Sequence, residues 1–144
     1  MKKKIQGHAV IPGHSHGKLL ISDQPLSFWG GYDQYTGEII DRRHSLSGQI
    51  AANCVLALPF SRGSSTGTAV LLESIRNGKA PAAIITTGID TFFALASIVA
   101  NEMYKTPIPI ISLTAADFEH LKNSERVEVF PNGEIILFEG EEKI

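Results

Sequence analysis

The sequence predicts an α/β fold with a parallel central sheet, and three observations predict it. Apolar runs at 54–58, 82–86 and 107–113 alternate with two segments of helical spacing, 66–77 and 92–104. That order, strand–helix–strand–helix–strand, calls for parallel strands joined by right-handed crossovers. Two further apolar runs, 126–130 and 134–138, flank Pro131, Asn132 and Gly133, which is the pattern of a C-terminal β-hairpin.

Whole-chain properties narrow the function classes. At 144 residues a single domain, 1–144, is expected, long enough for a real core. A formal net charge of −2 gives no electrostatic footprint for nucleic acid, and Lys2, Lys3 and Lys4 read as a solvated end. No apolar run approaches the roughly 20 residues of a membrane helix. Residues 5–11 are too short and interrupted for a signal peptide, so a cytoplasmic protein is expected. The single cysteine, Cys54, excludes an internal disulfide and an iron–sulfur cluster held by several thiolates of this chain. Its place in an apolar run predicts a buried, inert thiol.

Taken in order, residues 5–11 begin with strand-like alternation, which Pro12, Gly13, His14, Ser15, His16 and Gly17 interrupt. Residues 18–21 resume it, and the two runs are expected to pair as a hairpin. His8, His14 and His16 invite a metal reading, but beside the pair His14 and His16 no third ligand has a telling spacing, so no metal site is expected. Residues 22–37 form a long irregular stretch with Phe28, Trp29, Tyr32 and Tyr35 around Gly30 and Gly31. A loop of that length is more often functional than idle, although its aromatics could equally cover the domain's own core. Residues 38–41 read as a short strand. Asp41, Arg42, Arg43 and His44 then concentrate charge in one turn, either a solvated turn or an anion site built on paired arginines.

The 54–58 run leads into residues 59–67, with two glycines, three serines and Arg62. This strand-to-helix turn is the richest stretch of the chain. Gly63 permits a sharp turn, and Ser64 or Ser65 can cap the helix that follows. Free N–H groups and the helix dipole there favour an anion, or a serine oxygen gaining negative charge. The plainer reading is a capped helix start with a solvated Arg62. Asn77 and Gly78 stop the first helix. Ligands on parallel sheets bind beyond the carboxyl ends of the strands. The ends here are 59–67, 86–90 and 112–115, so Thr87, Gly88 and Asp90 should face the same crevice as Ser64. Residues 115–121 are expected to make one short helical turn, and the acidic tail a solvated end.

With the elements placed, the chain resembles a known family. The residues are Pro25, Leu26, Ser27, Phe28, Trp29, Gly30 and Gly31, then Thr36, Gly37, Ile40, Asp41, His44 and Gly48, then Arg62, Gly63, Ser64 and Ser65. Residues 78–82 and 107–111 fit as well. Together they resemble the small subunit of aconitase X along nearly the whole chain. The resemblance implies the swivelling β/β/α domain of aconitase type, with a parallel central β-α-β-α-β core, additional N-terminal strands and a C-terminal hairpin. It implies a hydro-lyase subunit active only with a large subunit, as a heterodimer or larger, the large subunit holding a 4Fe-4S cluster. It places the proton-accepting serine at Ser64, with Ser65 as the alternative. Substrate contacts would come from Arg62, Gly63, Ser65, Arg42, Arg43 and His44, with no metal ligand in this chain.

Stand-alone small subunits of this type imply dehydration of 5-phosphomevalonate to trans-anhydromevalonate 5-phosphate, in the mevalonate route to isoprenoids. A small phosphorylated hydroxy acid is then the substrate. Related members imply dehydration of cis-3-hydroxyproline instead. One departure stands out: citrate-type aconitases follow the serine pair with a carboxylate-binding arginine, whereas here Thr66 follows and Arg62 precedes. That leaves carboxylate binding to Arg62 or to the large subunit. Beside these readings stands one of another class, a non-catalytic swivelling or binding module carrying His14 or His44 as its functional residue. An unperturbed serine is too weak an acid to act as a base near neutral pH, so fixed donors and positive charge must surround it.

Overall fold

A computed structural model describes residues 2–61, 65–122 and 124–138, with residues 2 and 65 described by their backbone alone. Arg62, Gly63 and Ser64 lie outside the described residues, and with them the centre of the motif singled out above.

Three strands open the chain: β1 (Lys2–Gln6), β2 (His8–Ile11) and β3 (Ser15–Ile21). After a long connection with one broken turn, α1 (Phe28–Gly31), come β4 (Val55–Ala57), α2 (Ser65–Arg76), β5 (Ala83–Thr87), α3 (Thr91–Tyr104) and β6 (Ile110–Leu113). A short α4 (Ala115–Glu119) leads to the hairpin β7 (Arg126–Val129) and β8 (Glu134–Phe138). The predicted β-α-β-α-β core is therefore present, and β3, β4, β5 and β6 pair in parallel.

The strand order is β1-β8-β7-β3-β4-β5-β6-β2. Only Gly7 separates β1 from β2, so the two ends of this order are one stretch of chain and the sheet closes on itself. Gly7 sits where β1 and β2 meet: a Cβ there would fall 2.5 Å from Ile111 Cγ2. The expected hairpin between residues 5–11 and 18–21 does not form. Instead β2 runs antiparallel to β6, and β3 lies between β7 and β4. Edge protection explains the difference, because a local hairpin would leave the outer edges of β6 and β8 bare, whereas here β2 and β1 cover them. Residues 38–41 are likewise not a strand; Tyr32↔Ile39 and Glu38↔Ile50 are isolated bridges.

Alternation along the strands sorts side chains into two cores. Leu20, Leu56, Ile84 and Ile110 face α2, α3 and the 22–51 connection. Leu19, Val55, Ala57, Ala83, Ile85 and Ile111 face the other way, onto Ile5, Val127, Val129, Ile135 and Leu137. A period of two, applied to strands buried on both faces, gives this double lining. Phe118 of α4 and the following Leu121 join the second core. Ser97 on α3 is fully buried, and its hydroxyl accepts from Ile108 N and donates to Ile108 O. That pair anchors the Pro107 to Pro109 lead-in, where two of three residues have no N–H to give a ladder. Among the described residues no helix is long and apolar enough to cross a membrane.

Candidate functional site

Three strand-to-helix corners gather at the carboxyl ends of β4, β5 and β6, as the predicted crevice requires. The β5 corner is capped at both levels. Asp90 is the N-cap of α3, its Oδ1 accepting from Phe92 N and Phe93 N. Thr86 Oγ1 donates to Gly88 O, tightening the turn before it. At the β6 corner Thr114 Oγ1 accepts from Asp117 N and caps α4.

The β4 corner is held by its neighbours. Thr87 N and Thr87 Oγ1 both donate to Pro59 O, at 3.1 and 2.9 Å. Ser61 N and Ser61 Oγ both donate to Asp90 Oδ2, at 2.6 and 2.8 Å. Ser61 also bridges Leu26 in parallel, so the 22–31 connection lies along the same corner. Arg62, Gly63 and Ser64, outside the described residues, follow in sequence, and α2 begins at Ser65. A Cβ on Gly67, in the first turn of α2, would stand 3.9 Å from Phe28 N and Trp29 N, so α1 packs against that turn.

Phe28 is buried, stacked on Tyr32 and edge-on to Phe93. Trp29 beside it is 63% exposed. The sequence allowed both fates for this aromatic pair, and the structure divides them. Tyr32 donates from its hydroxyl to Lys79 O at 2.6 Å, and burial, with Cys54 a lesser cause, pushes its phenol well above the usual range.

Next to this corner is an open cavity of about 660 Å³, lined by Gln24, Pro25, Gly30, Ile40, Asp41 and the 42–44 turn. Arg42 and Arg43 are exposed, and among the described residues neither guanidinium has an ion pair. Asp41 Oδ1 accepts from Arg43 N, which shapes the turn. His44 is different. Its buried ring accepts from Leu46 N at Nδ1 and lies 3.1 Å from Gln24 O at Nε2, so Nε2 carries the proton and both nitrogens are spent within the fold. Gln24 Oε1 accepts from Ser45 N, and Ser22 Oγ meets Ser45 Oγ at 2.6 Å. Ser22 N in turn donates to Ala57 O, tying the arginine turn to the end of β4. Thus Arg42, Arg43 and His44 come together on one wall. Gln24 completes it without having been singled out in the sequence; an ordinary polar residue in a loop carries no local signal.

The other sequence candidates lie elsewhere. His14 pairs with Glu128 at 2.6 Å and stacks on Phe130, on the antiparallel side of the sheet. Among the described residues no group of three or more His, Cys, Asp or Glu could hold a metal ion. Cys54 is half-buried rather than buried, one residue before β4, with its thiol directed to Ile50 O. Burial raises its pKa. It sits at the opposite end of β4 from the 59–67 corner. One thiol in that place does not fit an iron–sulfur cluster at the corner.

A closed β/β/α barrel with its loops gathered around a strand-to-helix corner is a swivelling-domain architecture. The sequence matches the profile of the aconitase X swivel domain over residues 4–138, and the chain belongs to that family. It is 36% identical to the phosphomevalonate dehydratase small subunit of Thermococcus gammatolerans, over 95% of this chain and 99% of that protein. It is 40% identical to the cis-3-hydroxy-L-proline dehydratase of Hypocrea jecorina over 86% of this chain, but spans only 21% of that protein's length. The crystal structure of Thermococcus kodakaraensis aconitase X in its holo-form superposes with a TM-score of 0.81 at 30% identity, covering 95% of this chain and 99% of that one.

Proposed function

We propose that this chain is the small subunit of a heteromeric hydro-lyase that dehydrates 5-phosphomevalonate to trans-anhydromevalonate 5-phosphate. The observation that carries the substrate is the cavity wall bearing Arg42 and Arg43. A phosphate monoester brings nearly two negative charges and three acceptor oxygens, and paired guanidiniums suit it. The relative from Thermococcus gammatolerans, matched over nearly its full length, supports the same reading.

In this reading residues 1–144 act as one swivelling domain in the cytoplasm. The 4Fe-4S cluster belongs to the large subunit, because the donors here do not suit it. The substrate loses a hydrogen from one carbon and the hydroxyl from its neighbour, together one water, and a C=C bond forms. Ser64 Oγ takes the carbon-bound hydrogen as a proton, and Ser65 is the alternative. The α2 dipole, backbone N–H groups and Arg62 lower the cost of the serine alkoxide. Arg62, Gly63 and Ser65 contact the substrate near the reacting carbons, while Arg42 and Arg43 hold the phosphate. His44 supports that wall by fixing Gln24 and Leu46.

Exposed apolar side chains on this side fit the partner. Trp29, Phe60, Ile89, Phe92, Leu95 and Ile98 are all exposed, and the last three follow one face of α3. Such a patch on one domain marks a contact surface.

The test is a complex of this chain with its large subunit, purified without oxygen. Ser64→Ala should lower kcat by about 10²–10⁴, the usual worth of a positioned base. Near-normal turnover by Ser64→Ala, with loss in Ser65→Ala, would move the base to Ser65. A second reading, dehydration of cis-3-hydroxyproline, is favoured by 40–45% identity to enzymes of that name. It predicts activity that Arg42→Ala/Arg43→Ala leaves intact.

A further inference from the structure

We propose that Asp90 is a positioning residue that fixes Ser61, the point from which the chain enters Arg62, Gly63 and Ser64. The inference rests on the reading of that motif as the reactive one. Asp90 is 7% exposed and divides its carboxylate between two tasks. Oδ1 caps α3 through Phe92 N and Phe93 N, and Oδ2 takes both the N–H and the hydroxyl of Ser61. Ser61 is the last described residue before the loop. Two residues earlier, Thr87 holds Pro59 O through two donors. The β5 corner therefore grips the β4 corner at alternate residues, Pro59 and Ser61, while Phe60 between them stays exposed.

The N-cap of α3 needs one oxygen, and Asn or Ser would supply it. A carboxylate offers a second oxygen, and here it is spent wholly on the start of the neighbouring loop. Charge-assisted bonds to a backbone N–H and a hydroxyl are stronger than neutral ones. A loop whose start is fixed to α3 is also coupled to the apolar face of α3. Catalytic geometry is sensitive to misplacements of about 1 Å, so slack at Ser61 should appear in turnover.

Asp90→Asn separates the two tasks. The amide oxygen keeps capping Phe92 and Phe93, while the NH2 group faces the Ser61 N–H, donor against donor. In the complex, on whichever of 5-phosphomevalonate and cis-3-hydroxyproline it turns over, Asp90→Asn should lower kcat at least about tenfold with KM within about threefold. Ser61→Ala, which loses only the hydroxyl bond, should fall between Asp90→Asn and wild type. In the chain alone, followed by NMR, the Ser61 amide should exchange at least about tenfold faster in Asp90→Asn, with Ala96 and Ala100 on α3 unchanged. Wild-type kcat in Asp90→Asn, an equally protected Ser61 amide, or equally accelerated exchange throughout α3 would each overturn the proposal. If the wild-type complex turns over neither substrate, the functional reading fails, and the Ser61 amide still decides whether Asp90 holds the loop.

Discussion

Tyr32 shows how single residues in this chain serve the site by holding others in place. Its ring carries Phe28, its hydroxyl reaches Lys79 O, and burial raises its pKa. In the unfolded chain a phenol ionises near pH 10. The folded chain keeps its proton to higher pH, so between those values the unfolded state has lost a proton that the folded state retains. Stability is therefore unaffected by this group below about pH 10 and falls as pH rises beyond it. Urea melts of wild type and Tyr32→Phe from pH 8 to pH 11 should show a steeper alkaline loss in wild type. Parallel pH curves would contradict the burial account. Residue types alone could not show this, nor that His44 spends both nitrogens inside the fold, because partners such as Gln24 and Lys79 are distant in sequence and chemically ordinary. The exposure of Arg42 and Arg43 was legible because adjacent charge in a short turn has few apolar uses.

Elements were read well where they obey local rules and poorly where pairing is nonlocal. The β4-α2-β5-α3-β6 core and the β7–β8 hairpin follow from periodicity and turn chemistry, and they stand where expected. The antiparallel partners of β2 and β3 could not be read, since β6 and β7 lie more than 90 residues away. Gly133 belongs to the closure of the sheet. Its φ is +87°, its carbonyl accepts from Gly7 N, and a Cβ there would strike the Gly7 carbonyl oxygen. Gly133→Ala should therefore cost about 2 kcal/mol or more in chemical unfolding. A loss under about 0.5 kcal/mol would mean that the turn and the β1–β2 hinge are not packed as described. On α3, Leu95→Glu/Ile98→Glu should weaken binding to the large subunit at least tenfold while leaving the free chain's Tm within a few degrees. Unchanged affinity would move the docking face elsewhere.

For the whole molecule the pieces form a frame in which three strand-to-helix corners lie side by side. β1 and β2 cover the outer edges of β8 and β6, two cores line the strands, and the three strand-to-helix corners gather at the carboxyl ends of β4, β5 and β6. On one side stands a wall with two exposed guanidiniums, and on another an apolar helix face. In the proposed reading, such a domain supplies a base and anion contacts and leaves the Lewis acid to a partner. The most direct measurement is a dehydration assay on 5-phosphomevalonate with this chain, its large subunit, and both together, under anaerobic conditions. Formation of trans-anhydromevalonate 5-phosphate only when both are present, and its loss in Arg42→Ala/Arg43→Ala, is the predicted result. A cluster-bearing complex that ignores 5-phosphomevalonate and dehydrates cis-3-hydroxyproline would contradict it.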